Sequence, residues 1–186
     1  MRKIPTIFIR DMSSQPALVT PEVTSGCEWV IAGEGVATRK YDGMCCAVID
    51  MVLWKRREVK LGKPIPDGFV ETDHDKITGK RFGWLRISDG PDDKYFRNAE
   101  TFDHDFQEGT YELLGPKVQG NPEGYENRIW LKHSEAQVLK APRTFDEIKV
   151  YLSPGLIEGI VFHHEDGRMA KIKGKDFGIK RVTVSI

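Results

Sequence analysis

Leu156-Ile157-Glu158-Gly159-Ile160-Val161-Phe162 and, across a Glu165-Asp166-Gly167 turn, Met169-Ala170-Lys171-Ile172-Lys173 make up the stretch whose reading decides the fold. The first run is a strand in which one carboxylate interrupts apolar residues. The second alternates its lysines onto one face, as period-two side-chain geometry requires. Asp-Gly is a favoured hairpin connection, so the two strands pair antiparallel and Glu158 and the lysines fall on neighbouring strands.

Upstream, Thr144-Phe145-Asp146-Glu147 is a capping box that opens a helix running to about Leu152, stopped by Pro154-Gly155. Arg128 to His133 is a strand candidate carrying Trp130. Gly109 to Gly115 is another, with Glu112 among apolar neighbours, where a carboxylate must face solvent, a partner or a ligand. Farther back, Thr38-Arg39-Lys40-Tyr41-Asp42-Gly43 precedes Met44 to Ile49, a run too continuously apolar for an exposed face and therefore a central strand covered on both sides. Taken alone, Asp42-Gly43 reads as a hairpin corner, because both residues tolerate positive φ.

Trp54 to Lys60 is a basic strand carrying four cations, which reads as a solvated edge. Phe69 to Glu71 and Phe82 to Ile87 are short strands that invite antiparallel pairing. Ile4 to Ile9, Glu28 to Ile31, Val36 to Arg39 and Arg181 to Ser185 are also expected as strands, Pro16 to Gly26 as loop and Pro91 to Thr101 as a helix. Asp73-His74-Asp75 and Asp103-His104-Asp105 lack further ligand spacing and read as solvated loops rather than a metal site.

A chain of 186 residues with no internal repeat or low-complexity linker is expected to form one domain, 1–186. Its 28 basic and 28 acidic residues cancel, so a polyanion would have to be met by a local patch. Three cysteines, two of them adjacent at Cys45 and Cys46, form neither a disulfide framework nor a CxxC pattern and read as buried thiols of a reducing compartment. With no apolar run of membrane-spanning length and no signal segment, the expectation is a soluble, cytoplasmic monomer, encoded by a cell or by a phage acting in its host's cytoplasm, without membrane partners.

The ordered set Lys40-Tyr41-Asp42-Gly43, Glu112 in a strand, Glu158-Gly159-Ile160-Val161-Phe162 and Lys171-Ile172-Lys173 resembles the covalent nucleotidyltransferase superfamily of polynucleotide ligases and messenger-RNA capping enzymes. The resemblance runs from about residue 36 to 174. It implies an α+β fold, a ligase adenylation domain of two antiparallel β-sheets with flanking helices that enclose ATP. It further implies that Lys40 attacks the α-phosphate of ATP to form a lysyl-AMP, that AMP passes to an RNA 5′-phosphate, and that a 3′-hydroxyl then displaces it. An amine that titrates near about 10.4 must first lose its proton, which the like charges of Lys171 and Lys173 and a divalent cation favour.

By the same resemblance Glu112 takes the ribose hydroxyls, and Glu158 positions Lys40 and a hydrated Mg2+ (or Mn2+) through water, with Asp42 as a further metal-side carboxylate. Lys171 and Lys173 neutralise charge on the phosphates. Val161 and Trp130 sandwich the purine, Gly43 completes the nucleotide-binding motif, and Arg39 and Arg56 contact phosphates. One departure stands out: many ligases carry an arginine two residues after the glycine, where this chain has Cys45, so that contact must come from Arg56 or Arg57. The chain ends soon after Lys173, which leads to the expectation of no OB-fold domain and hence of a minimal RNA ligase. A minimal DNA nick ligase, a guanylyltransferase and a non-catalytic nucleic-acid-binding domain are the alternatives.

Overall fold

Of the hairpin read from Leu156 to Lys173, the computed structural model, which describes residues 3–101 and 106–182, has the pairing from Gly159 to Lys173, with Leu156 to Glu158 preceding the strand. In chain order the elements are β1 (Phe8–Arg10), β2 (Val19–Val23), α1 (Glu28–Ile31), β3 (Val36–Lys40), β4 (Met44–Ile49), β5 (Val52–Val59), β6 (Val70–Asp75), β7 (Lys80–Arg86), α2 (Lys94–Arg97), β8 (Glu100–Thr101), β9 (Gly109–Leu114), β10 (Ile129–Lys132), β11 (Val138–Leu139), α3 (Phe145–Leu152), β12 (Gly159–His163) and β13 (Met169–Lys173). Two compact units result: a terminal unit of Ile4–Tyr41 and Ala136–Ile186, and a central unit of Met1–Lys3 and Asp42–Glu135.

In the terminal unit β11, β3, β12 and β13 form a four-stranded sheet in that order, and β1 pairs with β2. Alternation sorts β12 and β13 cleanly. Ile160, Phe162, Ala170 and Ile172 are fully buried and pack with Ile148 and Leu152 of α3 and with Trp29 and Val30 of α1. Lys171 and Lys173 take the opposite face. The free edge of β13 is covered by the N-terminal segment, where the Ile7 amide donates to Lys171 O and the Lys171 amide to Pro5 O, each at 2.9 Å.

The central unit is built on a seven-stranded sheet in the order β6-β7-β5-β4-β9-β10-β8, antiparallel except for β8 beside β10. Cys46, Val48, Tyr111, Leu113 and Trp130 form its core with Phe96 of α2. The apolar run Met44–Ile49 is thus a central strand, as its composition requires.

The α+β expectation, two sheets with flanking helices, is overturned: 36 % of the structure is strand, 15 % helix, and there are three sheets. Among the described residues only α3 reaches eight residues. The helix expected over Pro91 to Thr101 shrinks to a 3-10 turn and four-residue α2, because the chain leaves it at Asn98 and pairs as β8 with β10 from Glu100. Glu28 to Ile31 is helix rather than strand; Trp29 and Val30 are both buried in one core, whereas neighbours on a strand would point to opposite sides. The Pro16 to Gly26 loop contains β2, and the strand expected from Ile4 begins only at Phe8. β5 is no edge, since it lies between β4 and β7. The α3 helix starts where the Thr144–Glu147 signature put it, but no capping bond to the backbone forms; the Thr144 hydroxyl bonds the Glu147 carboxylate at 2.6 Å instead. Asp73 to Asp75 lie on β6; Asp103 to Asp105 lie outside the described residues, as do residues 183–185 of the strand expected from Arg181, and Arg181 and Val182 are not in a strand. Among the described residues no helix is long and apolar enough to cross a membrane.

The corner reading of Asp42-Gly43 also fails. β3 pairs with β11 and β12, while β4 pairs with β5 and β9, so the segment carries the chain from one sheet to another. Gly43 is outside the positive-φ region; its need is space, because a Cβ there would lie 2.2 Å from Leu113 O. Gly159 is constrained in the same way, with Ile172 O only 2.1 Å from where a Cβ would stand. Gly159→Ala is therefore expected to force β12 from β13 at a cost of about 3 kcal/mol, lowering Tm by roughly 6–12 °C in a thermal melt.

Candidate active site

The register of the terminal sheet arranges one face in rows. Lys40, Gly159 and Lys173 lie side by side across β3, β12 and β13, and Thr38, Val161 and Lys171 form the next row. Gly159 has no side chain, so the lysines on either side reach past it to Glu158. Lys40 Nζ donates to Glu158 Oε2 at 2.6 Å and Lys173 Nζ to Oε1 at 2.5 Å. Both carboxylate oxygens are thereby used. Lys40 Nζ also donates to Tyr41 O at 3.1 Å, which fixes the amine at the end of β3.

Three ammonium groups surround one carboxylate, an arrangement that is net positive and attracts anions. Burial alone would raise the Glu158 carboxyl, but the Lys40 and Lys173 charges beside it hold it below the usual carboxylate range. Burial pushes the Lys171 ammonium down to about 8, assisted by the like charges of Lys173 and Lys40 and opposed by Glu158 and Asp176. An unfolded lysine titrates near about 10.4, so between these values the unfolded chain binds more protons, and stability attributable to Lys171 rises with pH. Holding it charged at neutral pH is thus a cost of the fold, one that a bound anion would relieve.

The end of β13 is fixed by a residue that the sequence reading missed. Asp176 is 4 % exposed; its Oδ2 accepts the Lys173 amide at 3.0 Å and its Oδ1 the Arg10 guanidinium at 2.6 Å. An acid three residues after Lys173, following Gly174, is the signal of a short helical cap. Gly174 N donates to Glu158 O at 2.9 Å, so this turn anchors the backbones of Lys173 and Glu158 together. On the same face as Val161, the Thr38 hydroxyl pairs with His163 Nε2 at 2.9 Å. Arg39 points the other way along β3, its guanidinium over the Tyr41 ring at 4.8 Å.

In the central unit a second carboxylate is held ready. Glu112 is 7 % exposed, accepts the Gly43 amide at 3.1 Å and meets His133 Nε2 at 3.0 Å; His133 Nδ1 meets the Thr110 hydroxyl at 2.9 Å. His133 carries no sequence signal of its own: the β9–β10 register places it. The Asp42 amide donates to Glu123 Oε1 at 3.0 Å. Cys46 opposes Lys55, which sets Cys45 beside Arg56 one step along the ladder, on the face that carries Glu112. Arg56 lies over the Trp84 and Phe82 rings, and burial lowers its guanidinium from its ordinary value. Arg57 faces away from that row, opposite Gly83.

No family model matches the chain. A protein named RNA ligase 1, from zebrafish (Danio rerio), is similar to it. The two are 27 % identical over an alignment of 147 positions, which covers 64 % of this chain and 44 % of the relative, so the chain spans less than half the relative's length. The likeness is distant and of RNA-ligase type.

The residues singled out in the sequence thus separate. Lys40, Glu158, Lys173, Lys171 and Val161 share one site in the terminal unit. Gly43, Glu112, Arg56 and Cys45 are neighbours in the central unit, with Asp42 and Glu123 on the same segment pair. Trp130 is the correction. It is 1 % exposed, packs edge-on against Phe106 and Tyr111 and donates its Nε1 to Phe96 O at 3.0 Å, so no ring face is left for a purine. Among the described residues no group of three or more His, Cys, Asp or Glu could hold a metal by itself. Both Glu158 oxygens are taken by lysines, so this carboxylate could meet an ion only through water.

Proposed function

We propose that the protein is an ATP-dependent RNA ligase that joins 3′-hydroxyl and 5′-phosphate ends through a lysyl-AMP at Lys40, in the cytoplasm. The observation that carries this reading is the Glu158 carboxylate bridging Lys40 and Lys173, with Lys171 in the next row, in a net-positive site. The distant likeness to RNA ligase 1 of zebrafish supports it.

In the first step Lys40 Nζ bonds to the α-phosphorus of ATP, the bond to the pyrophosphate oxygen breaks, and the amine proton leaves toward Glu158 Oε2, its nearest carboxylate. Lys171 and Lys173 meet the charge on the phosphates, the main requirement in transfer of this kind. When bound, Mg2+ adds positive charge at the phosphates. Next an oxygen of the RNA 5′-phosphate attacks the same phosphorus and the nitrogen–phosphorus bond breaks, with Lys40 regaining a proton. A 3′-hydroxyl then loses its proton as it attacks the 5′-phosphorus and AMP departs. Arg56, beside Cys45, serves as the arginine whose usual place Cys45 occupies.

The test is incubation with α-labelled ATP or GTP and magnesium, followed by denaturing electrophoresis and by sealing assays on RNA, DNA and mixed nicks. Label from ATP and joining that requires RNA on the 3′-hydroxyl side are expected. Label from GTP alone would make the protein a guanylyltransferase, efficient sealing of an all-DNA nick would make it a DNA ligase, and no label from either would end the enzyme reading.

A pH series gives a second check. Lys171 loses its proton at about 8 in the free protein, so its attraction for ATP phosphates weakens as pH rises through that value. Between pH 7 and 9.5 the Kd for ATP is expected to rise about tenfold or more, as loss of a charge-assisted contact implies. Lys171→Arg should flatten the rise, since arginine stays charged throughout.

A further inference from the structure

Away from both carboxylates, the central unit gathers three cations around one ring. Arg128 lies 4.9 Å from the centroid of Tyr95, Lys94 5.2 Å and Lys117 5.9 Å. Lys94 and Lys117 are exposed, and Tyr95 and Arg128 are half-buried. The positions come from three separate segments: α2, the loop after β9 and the residue before β10. None of the three cations has a carboxylate partner among the described residues, and the buried Nε of Arg128 has no hydrogen-bond partner there.

Several other cations of the chain do stand against a carboxylate: Lys3 with Asp75, Lys80 with Glu58, Arg81 with Glu71, Arg168 with Asp166. Attraction of each cation to the ring quadrupole opposes only part of their mutual repulsion, which a solvated surface would relieve by spreading the side chains apart. Lys117 also holds a φ of 68°, a left-handed conformation that a lysine seldom adopts and that concentrates at ligand clamps. An anion placed among the three would cancel that repulsion.

We propose that Lys94, Lys117 and Arg128, converging on Tyr95, bind the phosphodiester backbone of the RNA to be joined. The choice of a polynucleotide rests on the RNA-ligase reading. A chain with zero net charge needs a local patch to hold a polyanion, and cations interleaved with an aromatic ring are the usual composition of one.

The probe is a fluorescent 5′-phosphorylated single-stranded RNA, with anisotropy read from 50 to 200 mM salt. Lys94→Gln/Lys117→Gln/Arg128→Gln is expected to bind it at least about tenfold more weakly at 50 mM. The slope of log affinity against log salt should become shallower by about 2, since three contacts each release counterions. Lys94→Gln/Lys117→Gln, which alters exposed side chains alone, should lose about two thirds of that slope change and guards against a misfolded triple variant. Self-labelling by ATP should be unchanged in both. Unchanged RNA affinity and slope in the double variant, or weakened ATP labelling with intact RNA binding, overturns the proposal. Absence of label in the unaltered protein sinks the ligase reading instead, and the anisotropy series still reads the patch.

Discussion

Lys40→Ala is expected to abolish transfer of label from α-labelled ATP to the protein, a fall of at least about ten-thousandfold, as removal of a covalent nucleophile implies. Lys40→Arg should do the same although it keeps the charge, because a guanidinium stays protonated and does not attack phosphorus. The site itself should survive. Glu158 keeps Lys173 at 2.5 Å, and the register of β3 with β12 depends on backbone bonds that the side chain does not make. ATP should therefore still raise the Tm of Lys40→Ala, which separates loss of chemistry from loss of binding. Label that persists in both variants would remove Lys40 from the reaction.

What the sequence could reveal followed how local each signal was. The β12–β13 hairpin was legible because alternation and the Asp-Gly turn lie within one short stretch, and the meeting of Glu158 with Lys173 followed from it. β4 was legible from its unbroken apolar run. The contacts that misled were long-range. Asp42-Gly43 has the composition of a hairpin corner, yet the choice of β12 rather than β4 as partner of β3 is made by residues far along the chain, and Gly43 answers a steric demand from Leu113. Helix signals over Pro91 to Thr101 were outweighed by the pairing of Glu100–Thr101 with β10, a strand distant in sequence. Trp130 was ambiguous for a physical reason: a large aromatic in a strand fits a ligand or a core equally well until its neighbours are known, and here Phe106, Tyr111 and Phe96 O enclose it. His133 acts through partners distant in sequence, which leaves no motif, whereas Asp176 sits at a local capping spacing after Lys173 that the sequence does carry.

Glu158→Gln is expected to cut labelling by about 100- to 1,000-fold while the protein still folds. One isosteric amide cannot replace the carboxylate. Its oxygen can accept from a single lysine, and its nitrogen, a donor, faces the other. Lys40 and Lys173 then lie near Lys171 as three like charges with no counterion between them, and the proton on Lys40 loses its nearest carboxylate acceptor. Removing one partner of a largely buried ion pair costs about 3 kcal/mol, or a Tm lower by roughly 6–12 °C. The pH dependence gives the sign. The Glu158 carboxyl is held below its unfolded value, so its stabilisation is complete above about pH 4.3 and is lost as pH falls through the lower folded value. Glu158→Gln lacks that contribution, and its stability should fall less steeply in acid than that of the unaltered protein. Adding Lys173→Gln should return part of the lost Tm by removing one uncompensated charge, without returning activity, since in the proposed mechanism Lys173 also meets the phosphates. A double variant no more stable than Glu158→Gln alone would mean that repulsion among the lysines is not what the carboxylate holds in check.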